Sequence, residues 1–333
     1  MRRPTLPLFL LLAACSSLST EEQQQLAGFQ ERAARYYEMN DRHLGQAMDM
    51  IERGLAIAPD DYKLNALRAA VLLRKSGSAT GTDHKKLDEA TELLAKVYDQ
   101  RSAWRHEPIV LLNYGLALQK QGRRHLGEAL RLEGQASRTP ARVAEGDRTA
   151  EQLQQDAAAQ REMAKQKLDA AAEQFDVLIE RGELLRIAHN HRMQVARDQQ
   201  DDQRFVIAAN AYFEQNKLAQ TVTQKRIDDT LVVPYEMEQS QWLQELRQEE
   251  LGVRGLVADF FYQKKQYDKA LEQLNRILEA DPRRFADYWN RGRVLCELGR
   301  TDEAKADFRK FLADPSQPPT SDKVTFAVKV VSQ

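Results

Sequence analysis

The sequence predicts an all-α fold: a superhelix of stacked helical hairpins (an α-solenoid) with a long-helix middle section. Three observations predict it. Charged residues make up 30% of the 333-residue chain and aromatics 7%, with only 15 glycines and 10 prolines. That balance favours helix. Near the C-terminal end, Ala258, Phe261, Ala270, Leu274 and Ile277 return as Gly292, Leu295, Ala304, Phe308 and Phe311. In between, Leu153, Ala157, Ala164, Leu168, Ala171, Phe175 and Leu178 form one apolar seam at helical spacing.

Residues 1–14 read as a secretory signal peptide: Met1-Arg2-Arg3 is positive, Leu6 to Leu12 is apolar save Pro7, and Ala13-Ala14 are small. The apolar run falls well short of the roughly 20 residues that span a bilayer. Residues 15–30 read as a short tether, Ser16 to Thr20, and the start of the first helix.

Residues 31–135 hold three imperfect hairpins. Ala47, Ile51 and Pro59 have the spacing of Ala270, Leu274 and Pro282, and Ala33, Ala34, Tyr36 and Tyr37 belong to the preceding helix. Ala69 and Ala90 form the second unit, pushed apart by Ser76 to Asp83, which reads as a plain polar loop. The third unit places Tyr114-Gly115 on its first helix and Ala129 on its second.

Residues 136–250 differ. Pro140 and Gly146 break the chain, Thr149 with Gln152 suggests a capping box, and a long amphipathic helix follows over 149–180. Helices continue through 183–200 and 203–225, Val232-Val233-Pro234 interrupts, and helix resumes near Glu236. Two readings stay open for 149–250: degenerate repeats with lengthened helices, or a helical-hairpin insert.

Residues 251–316 form the regular pair. Two helices that cross closely need a small residue at the crossing, which Ala258 or Gly292 supplies on one helix and Ala270 or Ala304 on the other. Lys264 to Asp268 and Leu298 to Asp302 read as turns, and Asp281-Pro282 ends a helix because proline disfavours helix in the residue before it. In the tail, 317–333, Val324 to Val328 suits a capping helix or a short strand.

The 34-residue period, with its small and bulky positions, resembles the tetratricopeptide repeat (TPR). Arg254 departs from that pattern, standing where a bulky residue is usual. Leu12-Ala13-Ala14-Cys15 resembles the bacterial lipobox. That resemblance implies that Cys15 is lipidated and becomes the new N-terminus. Two or more acyl chains anchor stably. Ser16 rather than aspartate after it implies the outer membrane, with the protein facing the periplasm. The tetratricopeptide resemblance implies that first helices line a concave face that takes a partner's peptide or helix. Lipoproteins of this plan serve peptidoglycan hydrolases, outer-membrane protein assembly or pilus secretin assembly, and no subfamily signature chooses among them.

The candidate partner-binding groove is therefore Asn113, Asp259, Tyr262, Trp289, Asn290 and Arg293. Asn113 and Asn290 each precede a glycine by two residues, and a side-chain amide offers a peptide backbone both a donor and an acceptor. Tyrosine, tryptophan and arginine are enriched at binding hot spots. The competing reading of Trp289 is that it packs the stack. Gly255 and Asp259 stand where a chaperone-type carboxylate clamp needs lysine and asparagine.

No catalytic constellation is evident, so the chain reads as a scaffold and not an enzyme. There is no phosphate loop and no nucleophile elbow. His189 and His191 lie two apart, point to different helix faces, and read as surface residues without a metal. Cys296 reads as a small core residue, and no cofactor is implied beyond the lipid on Cys15. A net charge of −1 gives no basic face for nucleic acid. Expected partners are the membrane, through the lipid, and envelope or periplasmic proteins. The alternative is a self-associating structural lipoprotein, a homo-oligomer joined through the alanine-rich helix 149–180.

Overall fold

The computed structural model describes residues 18–39, 41–78, 81–99, 107–140, 148–229, 233–314, 318 and 321–332. Leu12 to Cys15 and Val232 lie outside these. Among the described residues the regular structure is helical throughout, apart from a two-residue antiparallel ladder, β1 (Gly77–Ser78) with β2 (Gly81–Thr82). The stretch expected to be a plain polar loop is therefore a minimal hairpin. The chain divides into two compact units, 1–121 and 122–333.

The first unit pairs α1 (Thr20–Met39) with α2 (Leu44–Ile57) and α3 (Tyr62–Lys75) with α4 (His84–Asp99), followed by the first part of α5 (Pro108–Ala136). Ala33, Leu44, Ala47, Ile51, Leu64 and Val71 bury one core. Ala69, Leu87, Ala90, Leu94, Val110 and Ala117 bury the next. Asp61 starts α3: its carboxylate accepts from Leu64 N at 2.9 Å and from Gln30 Nε2 at 2.9 Å. It thus caps α3 and ties it to α1.

The third hairpin expected within 31–135 is not one. Tyr114, Gly115 and Ala129 all lie on the uninterrupted helix α5. No proline falls inside α5 after its first residue, and Gly122, between the positions assigned to two helices, serves packing. A Cβ there would sit 2.7 Å from Leu168 Cγ. The glycine permits close approach to α6 (Ala150–Glu180), which pairs with the second part of α5.

In the second unit Thr149 and Gln152 form the capping box at the start of α6. The seam of α6 is buried along its length, from Leu153 to Leu178. Next come α7 (Leu185–Asp198), α8 (Asp202–Asp228), α9 (Val233–Gln263) and α10 (Tyr267–Ala280). The chain ends with α11 (Phe285–Glu297), α12 (Thr301–Leu312) and α13 (Asp322–Ser332). Each of these helices packs on the one before it. Val233-Pro234 begins α9 rather than interrupting a helix, as suits a proline whose missing N–H is needed by no earlier carbonyl. α9 then runs straight into the regular pair, so no boundary falls at 250.

Four of these helices end in one way. The N–H of Glu183, Asp201, Gln266 and Arg300 each reaches back five residues, to the carbonyls of Leu178, Ala196, Phe261 and Leu295, at 2.8–2.9 Å. The residue before each has positive φ: Gly182, Gln200, Lys265 and Gly299. This is the Schellman ending, and glycine is its relaxed occupant.

Arg254 replaces a bulky residue without loss of packing. Its guanidinium lies 4.5 Å from the Phe213 ring centroid, donates to Glu250 Oε1 at 2.6 Å and 2.9 Å, and reaches Gln273. α8 supplies the aromatic face that the guanidinium covers.

The tail is a helix. α13 buries Ala327 and sets Phe326 edge-on against Trp289 and Phe308.

Candidate functional site

Four of the six expected groove residues converge in the second unit. Asp259, Tyr262, Asn290 and Arg293 line one cleft of about 280 Å³ between α9 and α11. Its polar groups are largely engaged with one another. Arg293 stacks on Tyr262 at 4.4 Å from the ring centroid. Gln263 Nε2 donates to Asp259 at 2.8 Å, and Asn290 Nδ2 donates to Asp287 at 3.2 Å. Asp287 in turn accepts from Arg284 at 2.7 Å.

Trp289 does not join them, which corrects the expectation. It is 8% exposed, with its ring 5.4 Å from those of Phe308 and Phe326. Folding α13 back over α11 and α12 covers it, so the indole packs the stack.

Asn113 lies in the other unit and lines a larger groove, about 630 Å³, formed by α1, α3 and α5. These are the first helices of their hairpins. Small Ala34, Ala66 and Ala70 open the trough, and Tyr37, Tyr62, Leu67, Ile109 and Val110 make its walls apolar. Ile109 is 52% exposed at the lip, where an isoleucine gains nothing from water.

Within this trough Asn113 is 7% exposed, and its amide makes no hydrogen bond to any described residue. Glu38, Lys63 and Glu107 stand exposed around the groove. Lys63 lies over the Tyr62 ring, 5.9 Å from its centroid. Burial pushes the Tyr62 hydroxyl up to about 12, helped by the negative charges of Asp61 and Glu107.

Sequence reading reached Asn113 and placed Tyr37 on the right helix, but it missed the rest of this groove. The available signal was apolar residues such as Ile109 on the outer face of a first helix, where a solvated face would be polar.

His189 and His191 are half-buried rather than on the surface. His191 stacks on Phe175 at 5.5 Å, and burial, with the charge of Arg123 adding, pushes its pKa down to about 4. Burial raises the Cys296 thiol, with Glu297 adding to the shift. Among the described residues no group of histidine, cysteine and acidic side chains is arranged to hold a metal ion, and no helix is long and apolar enough to cross a membrane. Cys15 is outside the described residues.

A family model described as tetratricopeptide repeat matches residues 288–313, which cover most of α11 and all of α12. No curated protein matches the sequence. Among solved structures the chain is similar to yeast Tom70, at 15% identity and a TM-score of 0.25, over 94% of this chain and 70% of that one. It is similar also to the TPR domain of P58(IPK), at 15% identity and a TM-score of 0.23, over 94% and 99%. The matched repeat and the paired helices around it show an all-α, tetratricopeptide-type helical repeat fold.

Proposed function

We propose that this protein is a non-catalytic interaction scaffold of the cell envelope, lipidated at Cys15, held at the outer membrane facing the periplasm, and binding a segment of an envelope or periplasmic protein. The lipobox Leu12-Ala13-Ala14-Cys15 supports the anchor. The α1/α3/α5 groove supports the binding role, and one observation carries it: an apolar trough of about 630 Å³ lined by these helices, with the Asn113 amide bonded to no described residue. A bound backbone would satisfy both its donor and its acceptor. The lipid is then the only non-protein group the function requires.

The test is crosslinking in intact cells followed by mass spectrometry, comparing the full protein, Cys15→Ala and Ala34→Trp, which fills the groove. The expected result is one defined envelope protein, captured by the full protein and lost with either variant. Equal capture by Ala34→Trp would move the binding face elsewhere. Capture of the protein only by itself would favour the self-associating alternative. That alternative has lost its expected contact, because the apolar seam of α6 is buried within the fold.

A further inference from the structure

We infer that the α1/α3/α5 groove selects a cationic apolar segment, a stretch of bulky apolar side chains accompanied by lysine or arginine. The inference rests on the groove being the binding site and adds the chemistry of what binds. The trough itself, with Ala34 and Ala66 leaving room between aromatic walls, suits bulky apolar side chains.

The charge preference follows from the rim. Two carboxylates, Glu38 and Glu107, line the groove against one ammonium, Lys63. Neither carboxylate makes an ion pair with any described residue. Other exposed acids of this unit are paired with a neighbouring arginine, as Glu31 is with Arg35 and Glu89 with Arg68, so the rim pair keeps its charge uncompensated by an ion pair. Lys63, 5.9 Å from the Tyr62 ring centroid, offsets only one of the two negative charges, so the rim is net acidic. The shift of the Tyr62 hydroxyl agrees in sign, since Asp61 and Glu107 both act on it as negative charges. An incoming carboxylate would meet this field unfavourably, and an incoming ammonium or guanidinium would meet it favourably. Asn113, deep in the trough, is placed to bond the segment's backbone regardless of its sequence.

The experiment displays a library of random peptides to the purified full chain, then measures the enriched peptides by fluorescence anisotropy against Ala34→Trp, Asn113→Leu and the double variant Glu38→Gln, Glu107→Gln. Expected are apolar peptides carrying lysine or arginine, lost on Ala34→Trp. Affinity should fall roughly five-fold in the double variant, as rim charge pairs contribute. It should fall about ten-fold in Asn113→Leu, as a lost buried hydrogen bond does. High salt should weaken binding to the parent more than to the double variant. Groove-binding peptides that show no basic preference, or an acidic one, would overturn the charge inference and leave the groove reading intact. Enrichment only of peptides that bind Ala34→Trp equally well would overturn both.

Discussion

The two first-helix clefts of this protein differ in what they leave unfinished. The cleft between α9 and α11 belongs to the most regular repeats, yet it is small and its polar side chains bond to one another. The groove of α1, α3 and α5 belongs to repeats with displaced spacing. It is more than twice as large, largely apolar, and holds an amide with no partner among the described residues. Asn113 and Asn290 make the comparison sharpest: both lie two residues before a glycine, and only one is satisfied within the fold. Regular repeat spacing reports how well hairpins pack against each other. It carries little information about where a partner is held.

The largest test of this contrast is truncation of one apolar residue from each region. Phe308 is fully buried at the centre of the regular pair, so Phe308→Ala should cost about 3–5 kcal/mol in denaturant unfolding. Ile109 is half exposed at the groove lip, and Ile109→Ala should cost less than about 0.5 kcal/mol while weakening peptide binding. A large stability loss from Ile109→Ala would mean that the lip belongs to the core.

A smaller effect comes from pH. His191 is neutral when folded, with its pKa pushed down to about 4 from 6.5. The unfolded chain therefore binds the extra proton between those values. The stabilisation is complete above pH 6.5 and is lost as pH falls toward 4, by about 2–3 kcal/mol. His191→Phe should keep the stacking on Phe175 and flatten that part of the stability–pH profile. An unchanged slope would assign it to other groups.

The two asparagines give a third test. Asn113→Leu should leave stability within about 0.5 kcal/mol of the parent, because its amide makes no bond to any described residue. Asn290→Leu breaks a bond to Asp287 and should lower stability by about 1 kcal/mol. If Asn113→Leu proved the more damaging, thermal melts would show that Asn113 supports the fold rather than a ligand.

The smallest expected change is at the helix ends. Lys265 and Gln200 occupy the left-handed position that glycine holds at 182 and 299. Lys265→Gly should stabilise by up to about 1 kcal/mol, the strain relieved exceeding the added freedom of the unfolded chain.

Much of the fold is legible in the residues themselves. The capping box at Thr149 and the pair 251–316 follow from local rules, since caps and crossing points need particular residue types at fixed spacing. The turn at Lys265 lies where Gly299 recurs, but its shared backbone is hidden by the change of residue. The continuity of α5 is not legible either. Tyr114-Gly115 and Ala129 read as two helices by repeat spacing, while Gly122 between them is a packing glycine whose neighbour, Leu168, lies on another helix. His189 and His191 look like surface residues because helical spacing separates their faces, yet both faces are partly covered by neighbouring helices.

By itself the sequence determined an all-α repeat, the places where the regular hairpins cross, and the lack of any recognisable catalytic motif. Those properties live in composition and in short-range or periodic spacing. Tertiary structure alone decided that Trp289 is covered by α13, that the α6 seam is buried, and that Asn113 lines a groove of α1, α3 and α5 where no described residue bonds its amide. Whether a side chain is free for a partner depends on what distant segments place around it, and a repeat period does not encode that.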